Sequence, residues 1–590
     1  MNLESLLTEN IKKAVKDLYE IDLKDIRLEH PENEQFGDYA SSVSLSLGKD
    51  LKRLPIEIAK ELAQEISSYN LTFESDKDPY PVFASIEAIQ PGFINFKLSQ
   101  EWLKQQMVDV FEKGDKYGSS DIGDKKTIVV EYSQPNTNKP MHVGHSRNNF
   151  LGSSLANILG FVGYKVIKSN YVGDIGIHIC KSMLMYQKYG EGREPGIGQD
   201  ENVKPDHFVG EFYRMYEEAF EKDPSIENEA SDMLRKWESG DEETLQLWEK
   251  MNAWVYKGWE ETYKEEGVSF DTWSYESEEV NIGKEMVEDA VKKGVAVKDG
   301  TGAVIAKLEE YGLPDKVLLR SDGTSIYATK DLQLAKNSYE KFKFEKRLYV
   351  VDSRQSDYLK TIFKVLELMG YDWALKLHHI SYGFVTLPEG VMSSRLGNTV
   401  NADDVYKKLV DLEQDEVRHS LKEVSDLEDT SKKVALAAFR YGMLKVDPKQ
   451  DIVFDYDKVT KFEGNTGPYL MYSYARAKSI LEKAGVEEKE IDFNLKLFGE
   501  TKLEEKEVDI LRSIYKFSEI VLESADSFTP HVIANYLYDL SQRFNSFYAD
   551  VPVLNAEGYV RGFRLALVKC MSQVLKNGLH LLGIDVVEKM

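Results

Sequence analysis

Cysteine is nearly absent from this chain: 590 residues hold two, Cys180 and Cys570. That excludes a disulfide-stapled fold and a cysteine-based zinc site, and it fits a protein of the reducing cytoplasm. No run of about 18 apolar residues occurs, so no membrane span is expected. The opening MNLESLLTENIKKAV has amphipathic helical spacing without the apolar core of a signal peptide. Positive charge is in deficit, with 75 Lys+Arg against 101 Asp+Glu, a net charge of −26. Such acidity argues against indiscriminate polyanion binding, yet it leaves room for a basic track on one face. The remaining composition, 42% hydrophobic and 30% charged, is that of a globular chain long enough for three or four domains.

One stretch organises the rest: IVVEYSQPNTNKPMHVGHSRNNFLGSSL, residues 128 to 155. Ile128, Val129 and Val130 are β-branched and begin a strand, which Glu131 and Tyr132 complete. Residues 133 to 140 hold two prolines and two asparagines, which is loop chemistry. Val143, Phe150, Leu151, Leu155 and Ile158 then recur near helical period. In a doubly wound sheet a strand–loop–helix of this kind places its loop where ligands bind. His142 and His145 fall at i and i+3 on the first helical turn, beside free backbone N–H groups and the positive end of the helix dipole. Gly144 between them lets a flat purine approach the backbone. A metal site is the weaker alternative, because no third ligand lies nearby in sequence.

HVGH resembles the HIGH signature of class I aminoacyl-tRNA synthetases. The longer EYSQPNTNKPMHVGH resembles arginyl-tRNA synthetases in particular, and the likeness runs over essentially the whole chain. It implies an α/β multidomain protein: a Rossmann-like parallel-sheet catalytic domain with helical insertions, a small N-terminal α+β domain and a C-terminal all-α bundle. It also implies ligation of L-arginine to tRNA(Arg) through an arginyl-adenylate. ATP would arrive as its Mg2+ complex, and no protein-bound structural metal, membrane or partner subunit is expected.

The expected domains run 1–115, 116–401 and 402–590. In the first, the strand GFINFKL sets Phe93, Asn95 and Lys97 against Ile94, Phe96 and Leu98. An aromatic, an amide and a cation can hold an unstacked base, although an ordinary half-exposed edge strand reads the same way. By resemblance Gln90, Phe93 and Asn95 are contacts to the tRNA D-loop. In the second, residues 185 to about 300 carry five of seven tryptophans at helical spacing, as expected of an inserted subdomain with an aromatic core.

Tyr327 and Asp331 lie at i and i+4 on a helix that begins at Ile326. A carboxylate there can grip a guanidinium with two hydrogen bonds, or can simply complement the helix dipole. The resemblance favours the first and makes Tyr327, Asp331 and Gln355 an arginine pocket. Glu131, Ser133, Gln134, Asn136 and His145 complete it. SYGFVTLPEGVMSSRLGNTV resembles the KMSKS loop that closes over ATP phosphates, here Met392, Ser393, Ser394 and Arg395. The motif's lysines are replaced by Val391 and Ser394, so Lys139, just before the histidines, is the expected principal cation, with Arg395 second. The tail is helical by period and rich in tyrosine, and Tyr469, Tyr472, Tyr548 and Met590 match tRNA-contact positions. A small-molecule nucleotidylyltransferase, or a non-catalytic RNA-binding relative, is the alternative.

Overall fold

The computed structural model describes residues 3–73, 80–279, 283–388, 400–420, 427–485 and 502–590. It divides into two compact units. One comprises residues 1–117, 477–519 and 539–575, and the other comprises 118–476, 520–538 and 576–590.

In the first unit a four-stranded antiparallel sheet is ordered Leu28–Glu29, Tyr39–Ser41, Phe93–Leu98, Phe83–Ile89. Helices Leu3–Tyr19, Val43–Leu51 and Pro55–Ser68 belong to the same unit. Alternation in GFINFKL is real: Ile94, Phe96 and Leu98 are core residues and Lys97 is exposed. Asn95 departs from the expected open face. It is buried, and its Nδ2 donates to the Phe36 carbonyl at 2.7 Å.

The second unit is built on five parallel strands in the order Leu377–Tyr382, Lys346–Asp352, Thr127–Glu131, Lys165–Val172, Thr272–Tyr275. Ile128, Val129 and Val130 are wholly buried, as central parallel strands require. Chain order reverses between Thr127–Glu131 and Lys346–Asp352. That is the topological switch point, and beyond the carboxyl ends of these strands a crevice opens.

Helix Val143–Phe161 follows the first strand and packs tightly on it. A Cβ on Gly152 would stand 2.3 Å from the Tyr132 ring. Four helices, Ile177–Tyr189, Pro205–Lys222, Ile226–Glu238 and Glu242–Glu265, separate the second strand from the third. Their core is aromatic: Trp254 meets Phe208 and Tyr186 edge-on at 5.4 and 5.5 Å. The sheet resumes at Thr272, inside the stretch read from sequence as a continuous insertion. Trp273, counted there with the helical tryptophans, lies on an edge strand. Among the described residues of the C-terminal third, long helices dominate: Leu427–Leu444, Gly467–Lys483, Glu505–Ser527, His531–Asp550 and Gly558–Leu581.

Candidate active site

A cavity of about 880 Å³ lies at the switch point, within the range of small-molecule sites. Glu131, Ser133, Gln134, Asn136, Lys139, His142, Gly144, His145, Tyr327, Asp331 and Gln355 all line it. These residues come from two strand ends and two helices, so the fold brings together groups more than 200 positions apart. Met392, Ser393, Ser394 and Arg395 lie outside the described residues.

The two histidines fix one another. His142 caps the helix: its Nδ1 accepts from Gly144 N–H at 3.1 Å, and His145 Nδ1 accepts from His142 N–H at 3.1 Å. A nitrogen that accepts carries no proton, so both rings are the tautomer with hydrogen on Nε2. Burial, with the charge of Lys139 nearby, lowers His142 to about 4, and burial lowers His145 well below its ordinary value. Both are therefore neutral at pH 7, each keeping an Nε2–H donor that the cap does not use. The rings stand 3.9 Å apart between centroids. Formal positive charge comes from Lys139, whose pKa burial lowers and which has no ion-pair partner among the described residues. Arg354, also lining the cavity, is paired with Asp352 through two hydrogen bonds at 3.0 Å.

The loop after the first strand is held in an uncommon shape. Ser133 and Gln134 have φ of +79° and +50°, a left-handed pair built without glycine. Asn148 Oδ1 accepts from Ser133 N–H at 2.7 Å and Asn170 Oδ1 from Gln134 N–H at 3.1 Å. Tyr263 OH bonds both Ser133 Oγ and Asn170, at 2.7 and 3.0 Å. These partners hold a backbone that Ser and Gln would seldom adopt unaided. Next to it Asn136 bridges to Gly173, where a Cβ would fall 2.1 Å from Asn136 Oδ1. The close approach at this glycine is therefore to Asn136. Asp174 beside it is structural, since its carboxylate accepts from the Ser277 N–H and hydroxyl at 2.8 and 2.6 Å.

Three carboxylates influence one another in this region, and two have cations of their own. Glu131 is ion-paired with buried Arg347 and accepts from Gln134 Nε2 at 3.1 Å. Glu276 pairs with Lys330 at 2.9 Å. Asp331 accepts from the neutral Tyr358 hydroxyl. Burial lifts Asp331 to about 6; Tyr358 opposes the rise, Glu131 and Glu276 add to it, and Arg347 offsets it. Glu131 and Glu276 thus each have a cation of their own, whereas Asp331 has no ion-pair partner among the described residues; Lys316, which also lines the cavity, stands 4.5 Å over the Tyr358 ring. A side chain carrying one positive charge completes the set. Tyr327 is 68% exposed, so it stands at the cavity margin.

The resemblance places Glu131 in the arginine pocket; in the structure its two oxygens already accept from Arg347 and Gln134. Sequence reading missed Arg347, Tyr358, Asn148 and Glu276. Arg347 and Tyr358 left no signal in a strand and a helix that read as ordinary. Glu276 sits just past a strand's carboxyl end, but that strand had been read as insertion.

Of the tRNA-contact candidates, Gln90 is exposed, and Phe93, Tyr469, Tyr472, Tyr548 and Met590 are half-buried. Tyr472 accepts from Arg476 at 3.0 Å with the guanidinium 4.7 Å over its ring, a flat cation–aromatic pair. Tyr548 belongs to the first unit, and Tyr469, Tyr472 and Met590 to the second.

Parallel sheet, switch-point cavity and histidine-capped helix define a nucleotide-binding core of the class I aminoacyl-tRNA synthetase kind. Comparison with known proteins narrows this. Residues 106–456 match the family model for the class I (R) tRNA synthetase catalytic domain, residues 470–590 the DALR anticodon binding domain, and residues 5–98 the arginyl tRNA synthetase N terminal domain. An arginine–tRNA ligase of Treponema denticola is 38% identical, with 96% of this chain and 95% of that protein covered. One from Parabacteroides distasonis is 36% identical over the full length of both. The arginyl-tRNA synthetase structure of Thermus thermophilus superposes with a TM-score of 0.82 at 28% identity, covering both chains entirely. The chain belongs to the arginyl-tRNA synthetase family.

Proposed function

We propose that the chain joins L-arginine to its cognate tRNA in two steps at this cavity, first forming arginyl-adenylate from arginine and ATP and then passing the arginyl group to the terminal ribose. The arginine carboxylate is the nucleophile in the first step and pyrophosphate leaves, so no side chain forms a covalent bond. Catalysis is positioning plus electrostatic support of charge developing at the α-phosphate. His142 and His145 supply Nε2–H donors. Being neutral, they donate without the cost of holding two buried charges side by side. Lys139 carries the principal positive charge toward the pyrophosphate, with Arg395 second. ATP enters as its Mg2+ complex, the metal arriving with the substrate.

The guanidinium goes to Asp331, with Tyr327 covering it. Glu131, neutralised by Arg347, shapes the pocket wall and orients Gln134. Asn136 and Gln355 hold the α-amino and carboxylate groups, with Ser133 in the loop beside them. A lysine side chain brings the same charge but not the planar fork that two hydrogen bonds to one carboxylate require. Across the whole chain, residues 1–115 are assigned to the tRNA elbow through Gln90 and Phe93, with Asn95 behind them holding the Phe36 carbonyl, 116–401 to catalysis and 402–590 to the anticodon. It is assigned as a monomer of the cytoplasm, and its two buried free cysteines suit a reducing compartment.

The observation that carries the reading is that Asp331, without an ion-pair partner among the described residues, lines the cavity that the two neutral histidines and Lys139 also line. The test is aminoacylation of total tRNA with each of the twenty amino acids. Arginine alone should be charged. Charging of lysine or of an apolar amino acid at a comparable rate would overturn the assignment of Asp331.

A further inference from the structure

Outside the cavity the second unit holds a charged cluster of Lys204, Asp206, His207 and Asp403. Asp403 Oδ2 accepts from Lys204 Nζ at 2.8 Å and from His207 Nε2 at 2.6 Å, and its Oδ1 accepts from Thr262 Oγ1 at 3.0 Å. Lys204 also donates to Thr262 and stands 3.6 Å from Asp206 Oδ2. Asp206 is fully buried, and that oxygen has no hydrogen bond. Helices Pro205–Lys222 and Glu242–Glu265 meet closely here, since a Cβ on Gly258 would stand 2.3 Å from Asp206 Oδ1. Asp206, His207 and Asp403 offer donor atoms within 4.8 Å of one another, a set that a divalent metal can use. The ammonium of Lys204 already lies against both carboxylates, however, so a metal would first have to expel it. The cluster is an ion-pair anchor.

What it anchors gives it a function. Asp403 directly follows a short segment paired with the histidine motif: Val143 N–H donates to Val400 O at 3.1 Å, Ala402 N–H donates to Met141 O at 2.9 Å, and Asn401 bridges to His142. Thus Met141–Val143, the residues that set the helix cap, lean on a strip of chain whose next side chain is clamped from three directions. We propose that Asp403, held by Lys204, His207 and Thr262, is a positioning residue that fixes the backbone at His142 and so the direction of its phosphate-facing Nε2–H. This rests on the reading of His142 as a donor to ATP phosphate. Asp403 touches no substrate. Its effect falls on the nucleotide, because the strip pairs with Met141–Val143 and not with the helix that carries Asp331.

The test is steady-state aminoacylation by the full chain with cognate tRNA, comparing Asp403→Asn, Thr262→Val, Thr262→Ser and His142→Asn. Asp403→Asn and Thr262→Val should raise the KM for ATP at least fivefold and leave the KM for arginine within twofold. Thr262→Ser, which keeps the hydroxyl, should match the parent. His142→Asn separates the two layers of inference. If it raises the ATP KM while Asp403→Asn and Thr262→Val do not, the anchor is overturned and the reading of His142 stands. If none of the three moves it, both fall. Equal rises in both KM values, or a Thr262→Ser variant as impaired as Thr262→Val, would mark a purely structural role and also overturn the proposal.

Discussion

At the residue scale the site turns on charge states that local sequence does not encode. Asp331 could be found from its helix position, but its need for a cation comes from burial and from Glu131 and Glu276, which reach it only through folding. Asp331→Asn keeps an acceptor for Tyr358 and removes the charge. Loss of a buried charge pair of this kind costs about 3 kcal/mol, roughly a hundredfold in arginine KM, with the ATP KM unchanged. Acidity should act the same way. Burial raises Asp331 above the usual carboxylate range, to about 6, so folding favours its protonated form, and its contribution to stability falls as pH rises through about 4 to 6. Arginine needs the ionised form. Arginine KM should therefore be flat above pH 6 and climb toward tenfold per unit below it. Asp331→Asn should abolish that slope, and a parent enzyme with no slope between pH 5 and 6 would count against the carboxylate. Lys139 is tested by comparison: Lys139→Ala should slow adenylate formation more than Arg395→Ala does. The reverse order would return the main phosphate contact to the later loop.

Elements were legible in proportion to their regularity. The strand at Ile128, the helix carrying the histidines and the long C-terminal helices announce themselves by period. The Ser133–Gln134 turn does not, because neither residue favours a positive φ; the geometry is imposed by Asn148, Asn170 and Tyr263 from three other elements. The third sheet strand was hidden by its tryptophan, which extended an apparently helical aromatic run. The reason for Gly173 lies across the sheet, in Asn136. Gly173→Ala is therefore informative for the element as a whole. Its methyl group would displace Asn136 and slide the loop Ser133–Lys139 off the neighbouring strand end, where Thr137 N–H donates to Gly173 O at 3.1 Å. Overpacking of this kind costs about 1–3 kcal/mol. The arginine KM should rise by about tenfold or more, while Gly300→Ala, at an open turn with nothing within 4 Å of an added Cβ, leaves it unmoved.

At the scale of the whole molecule, local pattern gives consecutive segments, whereas compactness is decided by contacts between distant ones. Within the first unit Asp38 is held by Arg512 at 2.8 Å, and Glu519 is bonded by both His30 and Tyr39. Nothing in the spacing of those residues foretells the pairs. Within the second unit the far end of the chain is fastened to the catalytic helix. Ser154 Oγ donates to Leu581 O at 3.0 Å, and Arg440, fully buried, donates to Leu582 O at 3.1 Å and to Glu266 O at 2.7 Å, with its guanidinium 4.8 Å over Phe150. Gly583 is required there, since a Cβ would stand 2.0 Å from Arg440 Nη1. Arg440 thus ties two stretches of backbone to the helix that His142 caps, through hydrogen bonds to the carbonyls of Glu266, Gly267 and Leu582. Arg440→Met keeps much of the volume and orphans those carbonyls, each at a cost of about 1–3 kcal/mol. Amide exchange should speed up along Val143–Phe161 and Leu581–Ile584, and in the turn at Glu266–Gly267, with no change in Leu3–Tyr19 of the first unit. Gly583→Ala should reproduce the pattern from the other side of the contact. Exchange that rose evenly over both units would mean that Arg440 supports the fold at large and not this junction.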